Sequence, residues 1–299
     1  MDRAIAALNR IILGKDHALR LAFSCLLAGG HLLIEDIPGV GKTTLAQAMA
    51  RCLGLSHKRI QFTSDLLPAD ILGAVVFERE QGLVFQPGPI FAQVVLADEV
   101  NRTTPRTQSA LLEAMEEQQV TTEAETRALP EPFFVIATQN PQDQVGTYPL
   151  PESQLDRFLM RVKLGYPPAS AERELLAGRD RRVLLREVEP VLRAEDLLYL
   201  RGRVQSVHVA DALLDYLQAL TRASRENPQL ASGLSPRGAL ALRRAAQAWA
   251  LLHHRNAVYP EDVQTVFPAV AQHRLVPVAE RRGMMDEIIR DLLEQTPVP

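Results

Sequence analysis

At 299 residues, 46% hydrophobic and 23% charged, the chain has ordinary globular composition, long enough for two domains and short of three. A net charge of -3 gives no broad attraction to nucleic acid or anionic membrane, which leaves only a local basic strip, and 5% aromatics argue against a base-stacking platform. The two cysteines, Cys25 and Cys52, form no CxxC pair, and the seven histidines show no HExxH or zinc-finger spacing. These are packing and solvent positions rather than a metal site, and a reducing compartment fits them.

In chain order, the opening Met-Asp-Arg-Ala lacks a basic region feeding an apolar core, so no signal peptide is expected. Residues 4 to 28 carry apolar positions at helical spacing, among them Ile5, Leu8, Ile12, Leu21 and Phe23, and Gly29-Gly30 stops that helix. The stretch LAFSCLLAGGHLLI is too short and too interrupted to span a bilayer, so the expectation is a soluble cytoplasmic protein. HLLIED reads as a buried strand, followed by PGVGKTT and a helix, LAQAMARCLG, with Gly54 as its C-cap. KRIQFT, VVLADEV, FFVIATQN and RVKLGYP supply four more strands. Short apolar strands alternating with helices predict a five-stranded parallel sheet covered on both faces, an α/β fold. The helix TPRTQSALLEAMEEQQ, with Thr103 or Thr104 as cap and Pro105 in its first turn, lies between two of them.

Two hairpin-like insertions interrupt the scheme, near 74–88 with Gln81-Gly82 at the turn and near 119–132. After Tyr166-Pro167-Pro168 the chain is helical in period to its end. The expected division is 1–168 for the α/β domain and 169–299 for a small helical domain.

The chemistry concentrates in PGVGKTT. Gly39 and Gly41 let the backbone turn several N–H groups toward one anion, and the following helix adds its positive dipole end. Lys42 would reach the β- and γ-phosphates of ATP, and the Thr43 hydroxyl would ligate Mg²⁺. The generic GxxxxGK[ST] pattern has glycine where this chain has Asp36, a departure that removes no phosphate-touching group. VVLADEV ends in Asp98 and Glu99. Alone, this is a strand running into a charged turn; downstream of a phosphate loop, Asp98 can hold the Mg²⁺ shell and Glu99 can polarise the attacking water. Asn140 ends the next strand, hence lies on the same rim of a parallel sheet, where its amide can hold the lytic water or the γ-phosphate.

EDIPGVGKTT, ADEVNRTTPRTQSALLEAMEE, ATQNP, LPESQLDRF and LSPR, in that order and over nearly the whole chain, resemble the MoxR family of AAA+ ATPases. The resemblance implies a P-loop AAA+ domain with a helical lid, acting as a homo-oligomeric ring, expected to be a hexamer. Pro38, Gly39, Val40, Gly41, Lys42, Thr43 and Thr44 become the Walker A segment, Asp98 and Glu99 the Walker B pair, and Asn140 the first sensor. Arg157 resembles the arginine finger that enters a neighbour's site, and Arg237, behind Ser235 and Pro236, resembles the second sensor. Leu13 and Gly14 would border the adenine. The first hairpin resembles the helix-2 insert shared with magnesium chelatase and replicative helicases, an element facing the pore or the top of the ring.

Three functions of different class follow. The resemblance implies, first, an ATP-driven chaperone-like remodelling or maturation factor, of a kind often serving metal-cofactor enzymes, with a von Willebrand factor A domain partner. A nucleic-acid motor is the second reading and a low-turnover nucleotide switch the third. Acidic charge and few aromatics count against the motor, so no nucleic acid is expected as a partner and no membrane insertion. Glu99, Asn140 and Arg157 together count against a pure switch, which needs neither a water activator nor a finger.

Overall fold

The computed structural model describes residues 1–80, 82–122, 125–140, 146–178, 180–279 and 283–298, with backbone alone at residue 182. The chain opens with two helices rather than one, α1 (Asp2–Ile11) and α2 (Asp16–Leu27). Gly14 between them holds φ at +68°, a conformation that costs side-chain-bearing residues roughly 1–2 kcal/mol. A Cβ at Gly14 would also lie 2.7 Å from Pro168 Cδ and 2.9 Å from Ala171 Cβ. The helical period over 4–28 therefore hides a break that only a distant packing contact requires.

Then come β1 (His31–Glu35), α3 (Lys42–Cys52), β2 (His57–Gln61), α4 (Pro68–Leu72), and β3 (Gly73–Glu78) paired with β4 (Gly82–Pro87). β5 (Val94–Asp98), α5 (Pro105–Glu117) and the second hairpin, β6 (Gln119–Thr122) with β7 (Glu125–Ala128), follow. β8 (Phe134–Gln139), α6 (Glu152–Leu155) and β9 (Phe158–Val162) complete this part. Gln81, at the expected turn of the first hairpin, lies outside the described residues, as do Glu123 and Ala124 in the second. The fifth strand begins earlier than RVKLGYP suggests: Phe158, Leu159, Met160 and Val162 are the buried residues, and Gly165 at φ +61° turns the chain away.

β1, β2, β5, β8 and β9 form one parallel sheet in the order β2-β5-β8-β1-β9. Alternation along the strands sends side chains to two cores. Leu32, Ile34, Leu96 and Ile136 join α1, α2 and α3 on one face. Leu33, Val95, Ala97 and Val135 join Leu111, Leu112 and Met115 of α5 on the other. Because all five strands run the same way, the residues after β1, β5 and β8 share one rim of the sheet, and the residues before β1 and β9 share the opposite rim.

The remainder comprises α7 (Ala169–Ala177), α8 (Arg181–Arg186), α9 (Ala194–Gln205), α10 (Asp211–Glu226), α11 (Pro236–Leu252), α12 (Pro260–Ala271) and α13 (Met284–Gln295). Among its described residues this part is helical apart from a small antiparallel ladder of β10 (Leu230–Ser232) with β11 (Val276–Pro277) and a lone parallel bridge between His208 and Ala257. Among the described residues, no helix is long and apolar enough to cross a membrane.

Candidate functional site

The loop from Asp36 to Gly41 leaves the end of β1 and enters α3. Gly39 at φ +85° and Gly41 at φ +97° provide the left-handed turns that point successive N–H groups one way, and Gly41 is itself the N-cap of α3. Pro38 and Gly39 are exposed, while Val40 packs partly against the core and so anchors the loop. Lys42 Nζ donates to the carbonyls of Asp36 and Ile37, the latter at 3.2 Å, so its ammonium lies under the loop. Partial burial lowers the Lys42 pKa from the ordinary lysine value, against the opposing pull of Asp36, Asp98 and Glu99.

Asp36 has a structural reason to replace glycine. Its Oδ1 accepts from Ile37 N at 2.8 Å, and its Oδ2 accepts from Leu164 N at 2.6 Å and Gly165 N at 2.5 Å. This buried carboxylate ties the phosphate loop to the segment leaving β9. Asp36→Ala would leave the Leu164 and Gly165 N–H groups without an acceptor. It should cost about 2–4 kcal/mol, read as a lower urea midpoint with an unchanged m-value. A variant as stable as wild type would show that water replaces the carboxylate.

Asp98 ends β5 beside this loop, and Glu99 follows it directly. Thr43 Oγ1 donates to Asp98 Oδ2 at 3.2 Å, and Thr138 Oγ1, from β8, donates to Asp98 Oδ1 at 2.8 Å while accepting from Glu99 N at 2.9 Å. One threonine thus holds both acids in register. Glu99 sits at φ +59°, a strained conformation of the kind that concentrates at functional sites. Its Oε2 accepts from Gln61 Nε2 at 2.9 Å and faces Arg102 Nε at 3.3 Å. Gln61 in turn accepts from Arg59, which donates to Asp98 Oδ2 through Nε at 2.9 Å. Asn140 is buried on the same rim, directly after β8; Pro141 lies outside the described residues.

The donor set fits a hard divalent cation. Two ligand oxygens in adjacent octahedral positions around Mg²⁺ lie about 3 Å apart, close to the 3.2 Å between Thr43 Oγ1 and Asp98 Oδ2. Thr44 follows on α3, half-buried. The turn holding Leu13 and Gly14 lies beside the loop: a Cβ on Gly41 would come 3.8 Å from Ile12 Cδ1. Lys15 Nζ donates to Tyr166 O at 2.5 Å, tying this turn to the segment after β9.

The two arginines lie elsewhere. Arg157 immediately precedes β9, and β9 pairs with β1 so that Phe158 faces His31. It therefore sits at the start of the strands, one strand length, about 13 Å at 3.3 Å per residue, from its own phosphate loop. Arg237 is there too. Ser235 Oγ caps α11 by accepting from Gly238 N at 2.9 Å, with Pro236 at the first helical position. Arg157 Nε meets Glu116 Oε2 at 2.9 Å, and Arg237 Nη2 bonds Glu116 Oε1. A single carboxylate of α5 thus joins both arginines on the rim opposite Lys42, Thr43, Asp98, Glu99 and Asn140.

Sequence reasoning missed Arg59, Gln61, Thr138 and Glu116. The signal for Thr138 was available, because it lies in ATQN on a strand beside Asp98. Arg59 and Gln61 alternate along β2 toward the same rim, but only the strand order makes β2 the neighbour of β5.

Comparison with known proteins agrees with this geometry. Residues 31–160 match the family model described as the ATPase family associated with various cellular activities (AAA), and residues 222–292 match the AAA lid domain. The chain is 45% identical to YeaC of Bacillus subtilis, covering 100% of this chain and 95% of that protein. It is 39% identical to the chaperone MoxR1 of Mycobacterium tuberculosis, covering 98% and 79%. A crystal structure of a Cytophaga hutchinsonii protein assigned as an ATPase superposes with a TM-score of 0.89 at 33% identity, covering 100% of this chain and 94% of that one.

Proposed function

Since the chain belongs to the MoxR family of AAA+ ATPases and hydrolyses ATP, we propose that it works as a ring, expected to be hexameric, that remodels or matures a protein client. One observation carries this reading: the phosphate loop and both acids occupy one rim of the sheet, while Arg157 and Arg237 are held together on the other. A single subunit cannot bring Arg157 to its own loop across the sheet, whereas a ring places one rim against the next subunit's opposite rim.

In the proposed site, Pro38 to Thr44 wrap the phosphates, with the Lys42 ammonium between the β- and γ-groups. Thr43 and Asp98 would hold Mg²⁺, which would neutralise charge on those phosphates. Glu99 takes the proton of the attacking water, and Asn140 orients that water. Leu13 and Gly14 border the adenine. Arg157 and Arg237 from the neighbouring subunit meet the charge developing on the γ-phosphate. The division at residue 168 marks where the lid begins in this reading.

Client contact is assigned to the first hairpin, where Phe77 is 73% exposed and Leu83, its cross-strand partner, 74% exposed. Two large, exposed apolar side chains side by side on a hairpin suit a protein surface better than a phosphate backbone. A partner with a von Willebrand factor A domain and a metal-cofactor enzyme as client remain the family's pattern carried over to this chain. In the test, a Glu99→Gln ring charged with ATP should retain a client, and Phe77→Asp should abolish retention while basal hydrolysis stays within about twofold of wild type. Hydrolysis stimulated by single-stranded DNA in a salt-sensitive way would instead favour the nucleic-acid motor. Turnover too slow to detect in assembled rings would favour the nucleotide switch.

A further inference from the structure

Asp156 and Arg274 form a clamp around Arg157 that the family comparison leaves without a role. Arg274 follows α12, and its side chain is 3% exposed. Its Nε donates to Asp156 Oδ1 at 2.6 Å. Nη2 donates to the carbonyls of Asp156 at 3.1 Å and Phe158 at 2.6 Å, the residues on either side of Arg157. Nη1 reaches the carbonyls of Leu159 at 3.1 Å and Val270 at 2.5 Å. The second oxygen of Asp156 accepts from Ser235 Oγ at 3.2 Å, and Ser235 starts the helix that carries Arg237. A planar guanidinium with every nitrogen engaged is a rigid connector, and its burial excludes competing water.

We propose that Asp156 and Arg274 are positioning residues that lock Arg157 and Arg237 into one unit, so that the C-terminal helices set where both arginines stand at the subunit boundary. The pairing follows from the bond pattern: Asp156 receives the lid twice, through Arg274 and through Ser235, and Glu116 bridges the two arginines outside that clamp. A movement of the lid then shifts the arginines presented to the neighbour, which couples one site to the next. This inference rests on the trans reading of Arg157 given above.

The test uses full-length rings. Asp156→Asn preserves shape and loses the charged acceptor, and Arg274→Lys keeps the charge and loses the fork. Both should bind a fluorescent ATP analogue within about twofold of wild type, with kcat about a hundredfold lower, the loss that a misplacement near 1 Å produces. Lys42→Ala subunits, which carry an intact clamp and an intact Arg157, should restore part of that activity on mixing. Wild-type kcat in Asp156→Asn would overturn the inference. So would a loss that Lys42→Ala subunits fail to rescue while they do rescue Arg157→Ala, because the clamp would then serve folding alone. If Arg157→Ala is itself not rescued, the trans reading fails and takes this inference with it.

Discussion

Glu99→Gln should bind ATP with near wild-type affinity and hydrolyse it about 10²- to 10⁴-fold more slowly, the range set by loss of a positioned general base. The substitution preserves the shape of the side chain and its acceptor toward Gln61 Nε2 and leaves the Asp98–Thr138 contacts untouched. Only the capacity to take a proton is lost. Lys42→Ala provides the contrast. It removes the ammonium held beneath the loop carbonyls and with it a charge-assisted contact to phosphate, so ATP binding itself should weaken about 10- to 100-fold. Equilibrium binding and single-turnover hydrolysis, measured separately, distinguish the two. Wild-type turnover in Glu99→Gln would remove Glu99 from the mechanism and leave its strained backbone unexplained.

Arg157→Ala should retain ATP binding and lose hydrolysis by about a thousandfold, as when an arginine finger is removed from a P-loop enzyme. The geometry makes the prediction specific. Arg157 stands beside the start of β1, while the phosphate loop leaves the end of the same strand. Arg157→Ala subunits keep a complete phosphate site, and Lys42→Ala subunits keep a complete arginine. Mixing two nearly inactive proteins should therefore recover activity, with a gain that rises with total protein concentration as rings assemble. Mixed rings that form yet stay inactive would place Arg157 outside the reaction. Release of Glu116 accompanies the change, so Glu116→Gln is the proper control: it disturbs the same ion pair while keeping both guanidinium groups.

The phosphate site was legible in the residue order because its parts are local. The loop, its glycines and Lys42 are consecutive residues from a strand end to a helix start, Asp98 ends an apolar strand and Asn140 directly follows another. In a parallel sheet such ends share one rim whatever the strand order, so the short apolar runs were enough to put Lys42, Thr43, Asp98, Glu99 and Asn140 on one side of the sheet, while the order β2-β5-β8-β1-β9 decides which of them meet. The same locality explains Ser235 and Pro236 as the start of α11.

What the tertiary structure decided are pairings between residues far apart in the chain. The break at Gly14 answers to Pro168 and Ala171, which no periodicity in 4–28 can reveal. Asp36 reads as a flaw in a glycine pattern until its bonds to Leu164 and Gly165, 128 and 129 residues away, show it to be a tether. Arg237 meets Glu116 across 121 residues and Arg274 meets Asp156 across 118. Side-chain spacing carries information only over a turn of helix or a few strand positions, because backbone geometry correlates neighbours no further than that. Beyond that distance, which charge faces which is settled by how the sheet and the lid pack. The glycine-rich loop is therefore written in consecutive residues, and the placement of Arg157 and Arg237 around Glu116 exists only in the folded chain.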